Sequence, residues 1–285
     1  MSQVDRMRLT VLVEDLKNRP ELTAKHGLSF FIELKSAGNT TNLLMDTGPS
    51  ADIVLQNALK LNIALKKVDS IVLSHGHYDH TSGLLGVLKY IGKKVPVIAH
   101  PDALEPKFAV RKKRLKKAGI PFQVSELGKS SGILTLKRGP TSKAPGIWVS
   151  GEIKRASPFE KVKGFKTVRR GKLVKDYMPD DQALFVVVKG KGLVVVTGCA
   201  HAGLINTIKQ AQKVTGSSGV YAVIGGFHLA GASAGRINAT IEELQKAGVK
   251  VVMPCHCTGK KAITKFSKVF GKNCNQLRTG NVVTF

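Results

Sequence analysis

Ile71-Val72-Leu73-Ser74-His75-Gly76-His77-Tyr78-Asp79-His80 is a short apolar run that ends in four side chains able to bind metal. The apolar triplet reads as a strand, and Thr81-Ser82-Gly83-Leu84-Leu85-Gly86-Val87-Leu88 beyond it has the pattern of a helix. In open α/β sheets, sites are built where strands give way to helices. The spacing His-x-His-x-Asp-His crowds three imidazoles and a carboxylate into one small volume. Zinc accepts nitrogen and carboxylate ligands of this kind, and a catalytic zinc keeps one position open for water. A lone histidine would suggest only a surface loop; four donors packed this closely point to a metal.

Six further blocks accompany the motif: Leu43-Leu44-Met45-Asp46-Thr47-Gly48, Gly151-Glu152-Ile153, Asp181-Gln182-Ala183-Leu184, Thr197-Gly198-Cys199-Ala200-His201-Ala202-Gly203, Ile224-Gly225-Gly226-Phe227-His228-Leu229 and His256-Cys257-Thr258-Gly259. With them the motif resembles the signature of the metallo-β-lactamase superfamily, and the likeness runs through nearly the whole chain. The resemblance implies an α/β fold, a four-layer αββα sandwich, around a site that usually holds two metal ions. The blocks beyond Asp46 are similar to one branch in particular, the dihydropterin-methyl ribofuranosylaminobenzene phosphate synthases of methanopterin biosynthesis. Fold and metal site are shared by many chemistries, so the branch does not by itself establish the reaction.

Composition agrees with a globular enzyme: 285 residues, 42% hydrophobic, are enough to bury a substantial core. No apolar stretch reaches the roughly 18 residues that span a bilayer. The amino-terminal residues lack the apolar core of a secretory signal. Four cysteines do not make a disulfide framework, so a cytoplasmic protein is expected. The charge is unusual, with 45 Lys+Arg against 19 Asp+Glu, a formal net of +26. Such an excess concentrates anionic partners. One basic run is Lys107-Phe108-Ala109-Val110-Arg111-Lys112-Lys113-Arg114-Leu115-Lys116-Lys117. The other, 161–175, carries Lys161, Lys163, Lys166, Arg169, Arg170, Lys172 and Lys175. They read either as a basic lid over a small anionic substrate or as a solvated lysine-rich surface. Aromatics are only 6% of the chain, which disfavours stacking of single-stranded nucleic acid.

Strand and helix alternate along the chain. Residues 7–13, 28–34 and 42–45 read as strands. A helix follows over 50–61, with Ser50 as its cap, and 95–99 is a further strand. From 102 to 178 the regularity fades, although Ile147-Trp148-Val149 still reads as a strand. The expectation is one domain, 1–285, with 102–178 as an insertion or lid. Residues 184–188 and 193–196 form a hairpin through Lys189-Gly190-Lys191-Gly192. Strand, site and helix then recur three times, leading in turn to Cys199 and His201, to His228, and to His256. Six of the eight histidines thus follow strand ends.

Two histidines at i and i+2 reach one ion from the same side of an extended segment, so His75 and His77 are assigned to a first metal. Asp79 and His80, past the turn, go to a second. The superfamily's final histidine matches His256, also given to the second ion. Its usual bridging aspartate is replaced by Cys199, leaving three alternatives: the Cys199 thiolate, the His201 imidazole, or neither. His201 is carried as a ligand, while Cys199 has a second reading as a small buried residue in a tight turn. Glu152 and Asp181 are candidate oxygen ligands. Asp46 is expected to orient a ligating histidine from behind. The superfamily's intervening histidine has only His100 as a candidate, and Pro101 beside it suggests a structural turn. His228 is a candidate to stabilise a leaving oxygen, and His26 has no assignment.

These roles imply two divalent ions, zinc foremost with iron or manganese as alternatives. The first expectation is a hydrolase of small anionic esters, phosphoesters or lactones that uses a metal-activated water oriented by Asp79, with His228 at the departing oxygen. The alternatives are a transferase joining a dihydropterin diphosphate to a ribofuranosylaminobenzene phosphate, and a nuclease whose RNA affinity falls steeply with salt. A two-iron redox protein is a further reading, weakened by the absence of a Gly-x-Gly-x-x-Gly sequence for a flavin. Homodimerisation is compatible with the sequence; membrane association is not expected.

Overall fold

The computed structural model describes residues 3–285. Two β-sheets stack face to face. The first runs, in spatial order, β17 (Val282–Thr284), β1 (Arg6–Val13), β2 (Ser29–Ser36), β3 (Asn39–Met45), β4 (Ser70–Val72), β5 (Val95–Ala99) and β8 (Gly132–Leu136). The second runs β16 (Val251–Cys255), β15 (Val220–Gly226), β14 (Gly192–Thr197), β13 (Ala183–Val188), β10 (Ile147–Val149) and β9 (Thr141–Ala144).

Strand β13 shows why the sheets stack. Its sequence Ala-Leu-Phe-Val-Val-Val is buried at every position. Side chains alternate across a strand, so Leu184, Val186 and Val188 enter the layer between the sheets, whereas Phe185 and Val187 face the helices. The middle layer also receives Leu9, Phe30, Ile32, Val194 and Ile224. Each such side chain contributes roughly 1.5–3 kcal/mol by leaving water. Helices α5 (Leu204–Thr215), α6 (Ala234–Lys246) and α7 (Lys260–Phe270) pack on the outer face of the second sheet through Ile205, Ile208, Ile241, Leu244 and Phe266. On the first sheet, α1 (Ala51–Lys60) and α3 (Leu84–Ile91), which follows the single turn α2 (Tyr78–Thr81), do the same through Val54, Leu84, Val87 and Leu88. The order is helix, sheet, sheet, helix: the expected αββα sandwich.

Ser50 does not cap α1. It occupies the position before the helix with extended backbone, but its side chain accepts no hydrogen bond from the first turn. Strand β16, which leads to His256, begins at Val251.

The segment 102–178 divides between two roles. Strands β8, β9 and β10 extend the main sheets, with the short α4 (Ser125–Lys129) leading into β8. A separate four-stranded sheet is built from two hairpins, in the order β12 (Lys172–Lys175), β11 (Phe165–Arg169), β6 (Lys107–Arg111) and β7 (Arg114–Lys117). Both hairpins turn through two residues at positive φ, Lys112-Lys113 at 48° and 63° and Arg170-Gly171 at 49° and 73°. Those turns match the twist of the strands they join. Ala109, Arg111 and Phe165 look from this sheet onto the histidine cluster, over which the sheet lies. Among the described residues, no helix is long and apolar enough to cross a membrane.

Candidate metal centre

The site gathers where strands end. β1 leads to Asp15, β3 to Asp46 and β4 to His75; β14 leads to Cys199 and His201, β15 to His228 and β16 to His256. Three of these junction residues, and Ala200 between Cys199 and His201, adopt left-handed backbone: Asp46 (φ 60°), Ala200 (52°), His228 (44°) and His256 (49°). Such conformations are strained for side chains larger than glycine and persist where surrounding structure enforces them.

Asp46 is fully buried at the root of the cluster. Its Oδ1 accepts from the Ser74 backbone N–H at 2.7 Å, and its Oδ2 from Ser74 Oγ and His80 Nδ1, each at 2.6 Å. The loop carrying His75 and His77 is fixed from the other side, where Gly76 N–H donates to Asp180 Oδ2 at 2.8 Å. Lys107 Nζ holds that carboxylate at 2.7 Å and Asp176 at 3.0 Å. Lys107 therefore belongs to a buried ion-pair network and not to an anion-gripping lid, although it opens the first basic run. Two glycines permit this closeness. A Cβ on Gly76 would lie 2.0 Å from the Ala103 carbonyl oxygen, and one on Gly198 would lie 2.0 Å from Ser74 Oγ.

Among the described residues four triads of donor atoms result, of which Cys199, His228 and Cys257, and Asp15, His26 and His256, flank the two at the heart of the cluster. His75, Cys199 and His201 place their atoms within 4.8 Å of one another, and so do His80, Cys199 and His256. Cys199 belongs to both; its Sγ lies 3.3 Å from His80 Nε2. The His77 ring stands 4.6 Å from His75 and 4.9 Å from His201, joining the first triad. Asp79 Oδ2 lies 3.4 Å from His256 Nε2 and 3.6 Å from His80 Nε2, joining the second. His77 Nε2, both His201 nitrogens and His256 Nε2 are buried without a hydrogen-bond partner. Buried polar atoms are rarely left unsatisfied, and these converge as the ligands of an ion would. A set of imidazole, thiol and carboxylate fits zinc or iron.

The electrostatics separate the two central triads. Burial, reinforced by the neighbouring rings, holds His75 and His201 well below the usual imidazole range. Burial pushes His77 down to about 3. These three rings are therefore neutral and offer lone pairs at any physiological pH. Burial also lowers His80 and His256, but Asp46 and Asp79 around the first ring, and Asp15 and Asp79 around the second, outweigh it and raise both. An ion entering there displaces protons. Burial raises the Cys199 thiol, which a cation would deprotonate.

The candidates from sequence fall unevenly. His75, His77, Asp79, His80, Cys199, His201 and His256 come together, with Asp46 behind His80. His228 stands beside them, its ring 4.1 Å from His201 and its backbone N–H on Cys257 Sγ at 3.3 Å. Glu152 is exposed and faces His100, outside the cluster. His100 accepts from Asp102 N–H at 3.1 Å and starts a short turn. Neither joins the cluster of donors. Asp181 sits behind His201, accepting from Ala202 N–H at 2.7 Å with its other oxygen unpartnered.

Sequence reasoning missed Asp15, which accepts from His256 Nδ1 at 2.8 Å and from His26 Nδ1 at 3.2 Å. The signal was available, since Asp15 follows a strand end as the histidines do. His26, unassigned by spacing, lies against Asp79 at 3.4 Å.

Asp181 yields a prediction for the metal-free protein. Burial raises its carboxyl from 3.8 to about 7, so the folded chain binds this proton more tightly than the unfolded chain. Stability is therefore greatest below the unfolded value and is lost as pH rises toward 7. Asp181→Asn keeps an acceptor for Ala202 and removes the charge. It should raise the melting temperature at about pH 8 and leave it nearly unchanged at about pH 4. Equal shifts in melting at the two pH values would refute this account.

Fold and site together define a metal-dependent enzyme built on an αββα sandwich, and the chain belongs to the metallo-β-lactamase superfamily. Residues 22–160 match that superfamily's profile. Over its whole length the chain is 38% identical to the 7,8-dihydropterin-6-methyl-4-(β-D-ribofuranosyl)-aminobenzene-5'-phosphate synthase of Methanocaldococcus jannaschii, covering 99% of that protein. It is also similar to a solved metal-dependent hydrolase of the β-lactamase superfamily, with a TM-score of 0.80 and 30% identity over 97% of this chain and 98% of that one. A diphosphatase from the PhnP family, 15% identical with a TM-score of 0.53 over 99% and 98% of the two chains, shares the fold.

Proposed function

We propose that this enzyme joins a dihydropterin-methyl diphosphate to a ribofuranosylaminobenzene phosphate, releasing diphosphate. The observation that supports the reading is 38% identity over the full length to a synthase of that name, which favours transfer over the ester or lactone hydrolysis expected first. In this reading His75, His77 and His201 hold one ion, Asp79, His80 and His256 hold the second, and Cys199 lies between them. Zinc or iron suits such donors. When bound, the ions supply Lewis acidity toward a diphosphate oxygen.

The remaining chemistry belongs to side chains around a cavity of about 470 Å³ lined by His26, Arg111, Phe165 and His228, among others. The bond between the pterin's methylene carbon and the diphosphate oxygen breaks with the electron pair leaving on oxygen, while the amine nitrogen of the acceptor forms the new bond to that carbon and releases its proton to the departing diphosphate or to solvent. Arg111 supplies positive charge for the diphosphate. Phe165, 5.0 Å from both the His77 and His201 rings, covers the cluster and excludes water that would divert the reaction to hydrolysis. His228, with its Nδ1 unpartnered, donates a hydrogen bond to the departing oxygen.

Hydrolysis is the second reading, favoured by the 30% identical metal-dependent hydrolase. The test is to purify the protein without chelator, determine its metal content, and supply both pterin diphosphate and acceptor beside a panel of esters, lactones and phosphoesters. The joined product with release of diphosphate is expected; turnover of the panel without joined product would establish a hydrolase instead. His228→Ala should keep its metal and lose about 10²-fold in kcat. Loss of an ion in this variant would make His228 a ligand.

A further inference from the structure

A second cavity, of about 480 Å³, opens beside the one over the cluster and shares Phe165, His201, His228 and Ala230 with it. The two are lobes of one cleft, divided by Phe165 and His228. The second lobe is lined by three cations, Lys161 and Lys163 from the segment entering β11 and Arg236 from the first turn of α6, and by no carboxylate. Among the described residues no ion pair within 4.0 Å engages these cations. Arg236 Nε is buried without a partner. Glu160, the adjacent acid, is committed to the start of α5, where its two oxygens accept from Ile205 and Asn206 N–H, each at 2.9 Å, and it meets Arg236 only through space.

The backbone makes room for a ligand here. Between Leu229 and Arg236, the run Ala230-Gly231-Ala232-Ser233-Ala234-Gly235 carries no large side chain. That loop runs from the end of parallel strand β15 into α6, whose thirteen residues present their positive end to the lobe. Helix starts of this kind favour anions.

We infer that this lobe binds the phosphate of a phosphomonoester whose other end reaches the metal centre. In the transfer reaction, on which this identification of the ligand rests, that molecule is the phosphorylated acceptor, while the diphosphate stays in the first lobe near Arg111. Lys161, Lys163 and Arg236 supply charge-assisted hydrogen bonds, and the small loop lets the phosphate approach the helix start.

The test uses metal-loaded protein and calorimetric titration with glycerol phosphate, with glycerol as control. Glycerol phosphate should bind the wild type and glycerol should not. Arg236→Gln, and separately the exposed pair Lys161→Gln with Lys163→Gln, should weaken glycerol phosphate by about tenfold or more with metal content unchanged. The same variants should raise KM for the phosphorylated acceptor and leave kcat intact. Equal affinity in the wild type and both variants, or no binding by the wild type, would overturn the inference. Variants that lose glycerol phosphate in an enzyme that forms no joined product would leave the lobe standing and remove the transfer reading.

Discussion

Cys199→Ala is expected to empty both halves of the metal centre, because its thiol is the one donor common to the two central triads. Each triad would keep its histidines, but the negative charge between two cations would be gone, and their mutual repulsion would act unscreened. Transition-state stabilisation by bound ions is worth several kcal/mol, so activity should fall by about 10³-fold or more. Cys199→Asp is the informative partner. A carboxylate carries the same charge, offers two oxygens, and is the residue the superfamily normally places here. It should restore most of the metal content, whereas Cys199→Ser, nearly the same size but neutral, should not. Elemental analysis of the three purified variants separates the outcomes. Full metal content and rate in Cys199→Ala would reduce the thiol to a small residue filling a turn.

Asp46→Asn should strip one ion and spare the other. Asp46 Oδ2 accepts from His80 Nδ1 at 2.6 Å, so that Nε2, 3.3 Å from Cys199 Sγ, is the nitrogen that meets an ion once its own proton is displaced. Asp46 also accepts twice from Ser74, so all its bonds in the site are received. An amide has one acceptor and one donor group in place of two acceptors. Either Ser74 loses a partner or the amide N–H confronts His80 Nδ1. In the second case the imidazole moves its proton to Nε2, the atom required for metal. Removing such an outer partner typically weakens metal binding 10–100-fold, roughly 1.4–2.7 kcal/mol. The His80 and His256 ion should therefore leave at lower chelator concentration than in the wild type, while the ion at His75, His77 and His201 remains. Simultaneous loss of both ions in a chelator titration would show that Asp46 supports the whole loop and not one ring.

Much of the architecture was legible because burial on both faces writes itself into strands as continuous apolar runs. β13 and β14, with the Lys189-Gly190-Lys191-Gly192 turn, are read directly from such runs. The third sheet was not legible. Its outer strands, Arg-Leu-Lys-Lys and Lys-Leu-Val-Lys, are exposed throughout, so no periodicity separates them from a charged loop. Pairing of β11 with β6 joins segments far apart in sequence, a choice set by packing and not by local preference. Lys107 shows the same limit for single residues. Within a basic run it looks like a solvated charge, and only the approach of Asp176 and Asp180 makes it an interior cation.

The sequence alone determined the donor chemistry and its placement. Imidazoles, a thiol and carboxylates stand at strand ends, where short-range pattern is enough to locate them. Tertiary structure decided which donors meet. Asp15 and His256 are 241 residues apart in sequence, and Cys199 reaches His80 across 119. Those contacts depend on how two sheets stack and on backbone turns at Asp46 and His256 that their neighbours enforce. A ligand set is a property of distance in space, and distance between remote segments exists only once the core has packed.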